Sequence, residues 1–273
     1  MDTQSVQPSI APGGSAIAAP KPGQYLVEMV GIAKSFGGLH ALKDVNLNVA
    51  YHEVVGLVGD NAAGKSTLMK ILTGAYNADA GHIHFEGRKV EIRRPQDSRN
   101  LGIEMIYQDL GLCPKRNVPA NLFLGREQVK LSLGLLKILD WPGMKRDTAT
   151  ILENLHINIK QLDRPIEKLS GGQRQAVAIG RAVSFNPKLV IMDEPTASLA
   201  LKEVGAVLDL IGSLRDRGIS VILISHRLQD VFQVADRIVV LRGGEMVASH
   251  PAAEVTMDEI VSLMFLGRER GGR

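Results

Sequence analysis

Val54-Val55-Gly56-Leu57-Val58-Gly59-Asp60-Asn61-Ala62-Ala63-Gly64-Lys65-Ser66-Thr67 is a short apolar run that ends in two glycines, a lysine and a hydroxyl pair. Residues 59–66 satisfy G-x-x-x-x-G-K-[ST], and 54–58 before them have the length and β-branching of a buried strand. The glycines let the backbone curl until successive N–H groups point at one centre, and a helix starting near Lys65 adds the positive end of its dipole. This is a cradle for phosphate. On that reading Gly59, Asp60, Asn61, Ala62, Ala63, Gly64, Lys65, Ser66 and Thr67 grip a triphosphate, Lys65 reaching its β- and γ-phosphates and Ser66 ligating Mg²⁺. ATP and Mg²⁺ are the expected ligands.

Downstream, Leu189-Val190-Ile191-Met192-Asp193-Glu194 reads as an apolar strand delivering two adjacent carboxylates at its C-terminal end. With a phosphate cradle upstream, Asp193 is suited to hold Mg²⁺ and Glu194 to act as general base toward an attacking water. Between the two motifs, Leu169-Ser170-Gly171-Gly172-Gln173 opens a helix. It offers a hydroxyl and flexible N–H groups at a helix N-terminus, an arrangement that serves as an ordinary N-cap or as an anion seat.

Around these motifs strands and helices alternate. Strands are expected at 26–30, 45–49, 54–58, 102–107, 189–193, 220–225 and 237–241, and helices at 65–73, 201–217 and 228–235. A hairpin is expected from 81–85 and 89–92 around Glu86-Gly87. The alternation implies an α/β fold with a parallel sheet covered on both faces and ligands at the strands' carboxyl ends. Residues 110–185 change character, with helical patterns at 118–123, 131–139, 147–155 and 173–183. They are expected to form a helical insert. Residues 1–24 are rich in Pro, Ala, Gly and Ser and are expected to be a disordered tail; residues 266–273 form a basic C-terminal tail.

Composition narrows the function classes. Of 273 residues 45% are apolar, enough for a real core, and 32 Lys plus Arg against 29 acids leave a net charge of +3. So small and dispersed a charge argues against nucleic acid as the main partner. A single cysteine, Cys113, excludes an internal disulfide and fits a reducing compartment. The chain opens without a basic, apolar export signal, and its longest apolar stretches are strand-sized, far below the roughly 18 residues of a membrane span. Membrane association is therefore expected to run through a partner. His82 and His84 share a strand face at metal-ligand spacing, but no third ligand stands near them in sequence, so they are read as surface histidines.

The pentapeptide 169–173, lying between the two nucleotide motifs and about twenty residues before Asp193, resembles the signature motif of the ABC ATPases. The resemblance spans residues 25–265. It implies a P-loop NTPase core with an antiparallel β subdomain and an inserted helical subdomain at about 110–185. It further implies that two copies sandwich two ATP molecules head to tail, so that Ser170, Gly171, Gly172 and Gln173 of one face the γ-phosphate bound by the other. Gln108, after the strand at 102–107, resembles the glutamine that touches Mg²⁺ and the attacking water. His226 resembles the histidine on the γ-phosphate. Phe36 falls where the family stacks an aromatic on adenine, with core packing as the alternative. The resemblance thus assigns Glu194, His226, Gln108 and Lys65 to catalysis and Ser66, Gln108 and Asp193 to the metal.

Two positions depart from the family pattern. Ala62 stands where glycine is usual, which puts turnover in question, and Ala200 stands where many members carry Asp. Tyr107-Gln108-Asp109-Leu110 and Asn121-Leu122-Phe123-Leu124-Gly125-Arg126-Glu127 are similar to segments in the single-domain ATPases of bacterial sugar importers of the ribose, xylose and fructose type. That likeness implies membrane permease subunits docking on 109–130, a sugar-binding protein acting indirectly, a homodimer, and a place on the cytoplasmic face of the membrane. The alternatives are a nucleotide-sensing module with weak hydrolysis and a soluble ABC ATPase outside transport.

Overall fold

A computed structural model describes residues 25–267 apart from 134 and 135; the expected tail at 1–24, and 268–273 of the tail expected at 266–273, lie outside the described residues. The chain begins with an antiparallel pair, β1 (Tyr25–Phe36) and β2 (Leu39–Ala50), and then enters β3 (Val54–Val58), the phosphate-cradle turn and α1 (Lys65–Leu72). The hairpin β4 (Ala80–Phe85) and β5 (Arg88–Val90) returns to pair with β1, giving a four-stranded antiparallel sheet of order β2-β1-β4-β5. After α2 (Pro95–Asn100), β6 (Ile103–Ile106) takes one edge of the central sheet.

The insert follows as α3 (Val118–Leu122), β7 (Val129–Leu133), β8 (Leu136–Leu139), α4 (Trp141–Asn154) and α5 (Gly171–Val183). The core then completes itself with β9 (Leu189–Asp193), α6 (Leu201–Asp216), β10 (Ser220–Ile224), α7 (Leu228–Val234), β11 (Arg237–Arg242), β12 (Glu245–Pro251) and α8 (Met257–Leu266). The central sheet has the order β12-β11-β3-β10-β9-β6, with β12 alone antiparallel.

Its inner strands β3, β9 and β10 are apolar and buried almost throughout because both faces are covered. On β9, Leu189 and Ile191 face the cluster under α1 and the antiparallel sheet, while Val190 and Met192 face the cluster under α6, α7 and α8. The same alternation holds on β10 and β11. A third, smaller cluster built on Val118, Leu122, Met144, Leu152 and Val177 is the insert's own core.

The expected helix at 131–139 is a two-stranded hairpin, with Val129 opposite Leu139 and Leu133 opposite Leu136. Leu131 and Leu133 fit strand alternation as well as they fit a helical face, and cross-strand pairing decides between them. The helix expected at 147–155 starts earlier, at Trp141, because Asp140 caps it by accepting from the Gly143 N–H at 3.0 Å. Leu266, expected in the tail, is the last residue of α8.

The amino-terminal rim of the sheet is cross-tied. Arg237 donates to both carboxylate oxygens of Glu53 at 2.7 and 3.0 Å and to the Asn48 carbonyl at 2.8 Å. Asp236 accepts from the Val54 N–H at 2.8 Å, and the Ser220 hydroxyl accepts from the His52 N–H at 2.9 Å.

Candidate active site

The carboxyl rim carries the candidate site. β3, β10 and β9 run parallel and in register, so the turn after β3, Ser225-His226 after β10 and the acids after β9 open on one side. The turn is held by the Ala63 N–H donating to the Asp60 carbonyl at 3.1 Å and the Asn61 N–H to the Asp60 carboxylate at 2.7 Å. Gly59 and Gly64 have φ of +154 and +105; a Cβ on Gly59 would meet the Leu241 carbonyl oxygen at 2.2 Å, so only glycine fits. Ala62 has φ of +66, the left-handed region in which alanine is strained. Ser66 is exposed at the first turn of α1 and Thr67 is half-buried beside it.

Lys65 bends back over the turn, its Nζ donating to the carbonyls of Gly59 at 2.7 Å and Asp60 at 2.9 Å. Burial pulls its pKa down, while the charges of Glu194, Asp193 and Asp60 pull it up, which places the two acids beside the ammonium. Burial and the neighbouring Glu194 push the Asp193 carboxyl above its usual range. Glu194 has φ of +53, a left-handed backbone at a non-glycine residue, and its N–H donates to the Ile224 carbonyl at 2.9 Å. Such strain is concentrated at functional sites.

The Glu194 Oε1 accepts from the His226 N–H at 3.0 Å. The His226 ring Nδ1 lies 2.7 Å from Oε2, but off the hydrogen-bonding direction, so that oxygen is buried without a hydrogen bond of its own. A carboxylate oxygen without a hydrogen bond of its own keeps its capacity to accept one. Gln108 stands two residues beyond β6, whose Ile106 pairs with Met192, so it lies at the level of the acid pair. The oxygens of Ser66, Gln108 and Asp193 are the hard donors a Mg²⁺ takes, and a divalent cation would offset both the burial and the Glu194 charge that raise the Asp193 pKa.

Other expected site residues stand apart. Ser170 caps α5, its Oγ accepting from the Gln173 N–H at 3.3 Å while Gln173 Oε1 accepts from the Ser170 N–H at 3.1 Å. Among the described residues no hydrogen bond or ion pair links 170–173 to the Lys65 group. The Glu203 carboxylate takes their place as neighbour: hydrogen bonds from the Ser170 hydroxyl and the Gly172 N–H lower its pKa. Phe36 is exposed at the end of β1, edge-on to Tyr76 with ring centroids 5.3 Å apart. Tyr76 was not legible as its partner, because it joins Phe36 only through the tertiary fold.

A cavity of about 840 Å³ lies at the start of α5 against α6, and a more polar cleft of about 540 Å³ borders the phosphate turn at Asp60–Ala63. Neither is lined by Lys65, Asp193 or Glu194, so the candidate site is placed by chemistry, on the phosphate turn and the carboxyl ends of β9 and β10. His82 and His84 have ring centroids 4.9 Å apart on β4. Among the described residues no group of three His, Cys, Asp or Glu could hold a metal.

A family model described as ABC transporter matches residues 42–197, more than half of the chain and inclusive of the turn, the capped helix and the acid pair. The chain belongs to the ABC transporter family. As an ABC ATP-binding domain it is 42% identical over 254 residues to the galactose/methyl galactoside import ATP-binding protein MglA of Escherichia coli (strain K12), covering 93% of this chain and 49% of that one. The same-named protein of Salmonella typhimurium is 42% identical over 260 residues. The cassette thus spans about half the length of the curated relatives it matches. It also superposes on the ADP conformation of MJ1267, an ATP-binding cassette of an ABC transporter, with a TM-score of 0.74 and 28% identity over 88% of this chain and 94% of that one.

Proposed function

We propose that this cassette binds and hydrolyses Mg·ATP to power an ABC-type importer of a monosaccharide. The observation that carries the reading is the convergence of the Lys65 ammonium, the Asp193–Glu194 pair and His226 beside the phosphate turn, with one Glu194 oxygen buried without a hydrogen bond of its own. The turn's N–H groups and the N-terminus of α1 hold the phosphates, and Lys65 exchanges its two carbonyl acceptors for phosphate oxygens. Ser66, Asp193 and Gln108 are the residues to hold Mg²⁺, which when bound neutralises charge on the β- and γ-phosphates.

Glu194 orients a water and accepts its proton as the water oxygen bonds to the γ-phosphorus. The bond from that phosphorus to the β,γ-bridging oxygen breaks, leaving ADP and phosphate, and His226 steadies the departing γ-phosphoryl. Phe36, with Tyr76 behind it, offers the adenine a face. Ser170, Gly171, Gly172 and Gln173, remote from this chain's own Lys65, are placed to close over the nucleotide of a second copy, and two-fold pairing is the commonest assembly.

No described helix is long and apolar enough to cross a membrane, so transport requires permease subunits, which we place on residues 109–130 at the cytoplasmic face of the membrane. A sugar-binding protein would act on the permease. The relatives' names point to galactose and methyl galactoside and give no support to fructose, ribose or xylose in particular.

The test is uptake into vesicles holding the permease, with galactose, fructose, ribose and xylose as substrates. Transport and phosphate release should require Mg·ATP, and Glu194→Gln should lower kcat by about 100-fold or more with nucleotide still bound. Unchanged turnover in that variant would remove Glu194 from its role; binding without any turnover in the wild type would favour a nucleotide sensor, the reading that the strained Ala62 suggests.

A further inference from the structure

Gln108 is followed by a stretch that no regular element supports until α3 begins at Val118. Among the described residues, 108–112 make no main-chain to main-chain hydrogen bond; Gly111 donates only to the Asp109 side chain, at 3.2 Å. Arg181 supplies what is missing. Its Nη2 donates to the Leu110 carbonyl at 2.7 Å and its Nη1 to the Gly111 carbonyl at 2.9 Å. Two neighbouring carbonyls engaged by one planar fork is a geometry that lysine cannot reproduce.

Arg181 lies on α5, about 16 Å along the helix from Ser170 at 1.5 Å per residue. The same end of α5 is tied to strand β6 by a second route. Arg126 pairs with Glu104 on β6 at 2.5 Å, and its guanidinium lies 4.0 Å from the ring centroid of Phe185, just beyond the helix. Burial pulls the pKa of the half-buried Arg181 down, and Glu104 opposes this. The strand leading to Gln108 and the segment leaving it are therefore both fastened to the last turns of α5. That also accounts for Arg126, in the 121–127 segment, to which phosphate chemistry gives no role.

We infer that Arg181 is a positioning residue that ties the Gln108 segment to the helix capped by Ser170, so that the two nucleotide-facing parts of the chain move as one body. The inference rests on the functional reading above, in which Gln108 serves this chain's own nucleotide and Ser170 that of a second copy.

Limited proteolysis with chymotrypsin and steady-state hydrolysis on the full chain test it, with Arg181→Met and Arg181→Lys. In Arg181→Met cleavage after Leu110 and Leu112 should be about tenfold faster or more, as expected for losing charged hydrogen bonds, while cleavage elsewhere keeps its rate. The KM for ATP should stay within about twofold while kcat falls about tenfold, with partial recovery in Arg181→Lys. Unchanged cleavage at 110–112, acceleration spread over the whole chain, or a loosened segment with unchanged kcat would each overturn the inference. Should the wild type bind ATP and not hydrolyse it, the functional reading falls on its own, and the proteolysis arm still decides whether Arg181 holds the segment.

Discussion

Gly59 shows how one atom decides the phosphate turn. A methyl group there collides with the Leu241 carbonyl, and neither backbone can yield without disturbing β11, so Gly59→Ala should cost about 3 kcal/mol in urea unfolding and abolish nucleotide binding. Asp193 behaves differently, because its difficulty is charge. Its carboxyl pKa is raised, so the folded chain holds a proton that the unfolded chain has already released. Stability from this group is present below the ordinary carboxylate range and is lost as pH rises through the shifted value. Asp193→Asn should therefore melt higher than wild type near neutral pH, and calorimetry should show the gap closing as pH falls toward about 4. A gap independent of pH would mean that the carboxyl's ionisation is not the cause. The phosphate turn, Lys65 and the acid pair were legible in the sequence because their chemistry is written in consecutive residues. Tyr76, Arg181 and Glu203 were not, since each acts on a segment brought to it by the fold.

At the scale of elements, caps explain where some helices start, while α1 and α6 form where expected without a side-chain cap. Ser170 and Gln173 form a reciprocal capping box, and Ser170→Ala should cost about 1 kcal/mol in thermal unfolding. At the start of α6 the opposite holds: Ala200 is the N-cap and offers no side-chain bond. Ala200→Asp should gain about 1 kcal/mol, and an unchanged melting temperature would show that the helix start is satisfied by other means. The β7–β8 hairpin was misread because its leucines suit either period, and nothing local outweighs a helical reading. The short α2 and the edge strand β12 were missed for a related reason. A proline with five polar residues, and a half-exposed strand, carry little apolar periodicity; α2 is set by its own Arg94–Asp97 capping box and β12 by its pairing with β11.

Taken as a whole, the molecule is ordered by the direction of its parallel strands. Their carboxyl ends gather everything chemical, and their amino ends are sewn together by Arg237, Glu53, Asp236 and Ser220. Arg237→Ala strands the Glu53 carboxylate and the Asn48 carbonyl together, so it should cost about 3 kcal/mol in denaturant titration. ATP affinity in the folded fraction should be unchanged; a loss of affinity without a loss of stability would contradict this division of labour. The sheet is in this sense a fan riveted at its handle. Its ribs are also laced to one another along their length, up to Asp193 beside Ile224 and Val58 beside Val240, so the frame resists splaying and any displacement that a nucleotide brings must fall on the loops beyond the rim, where we place a second copy and a membrane partner.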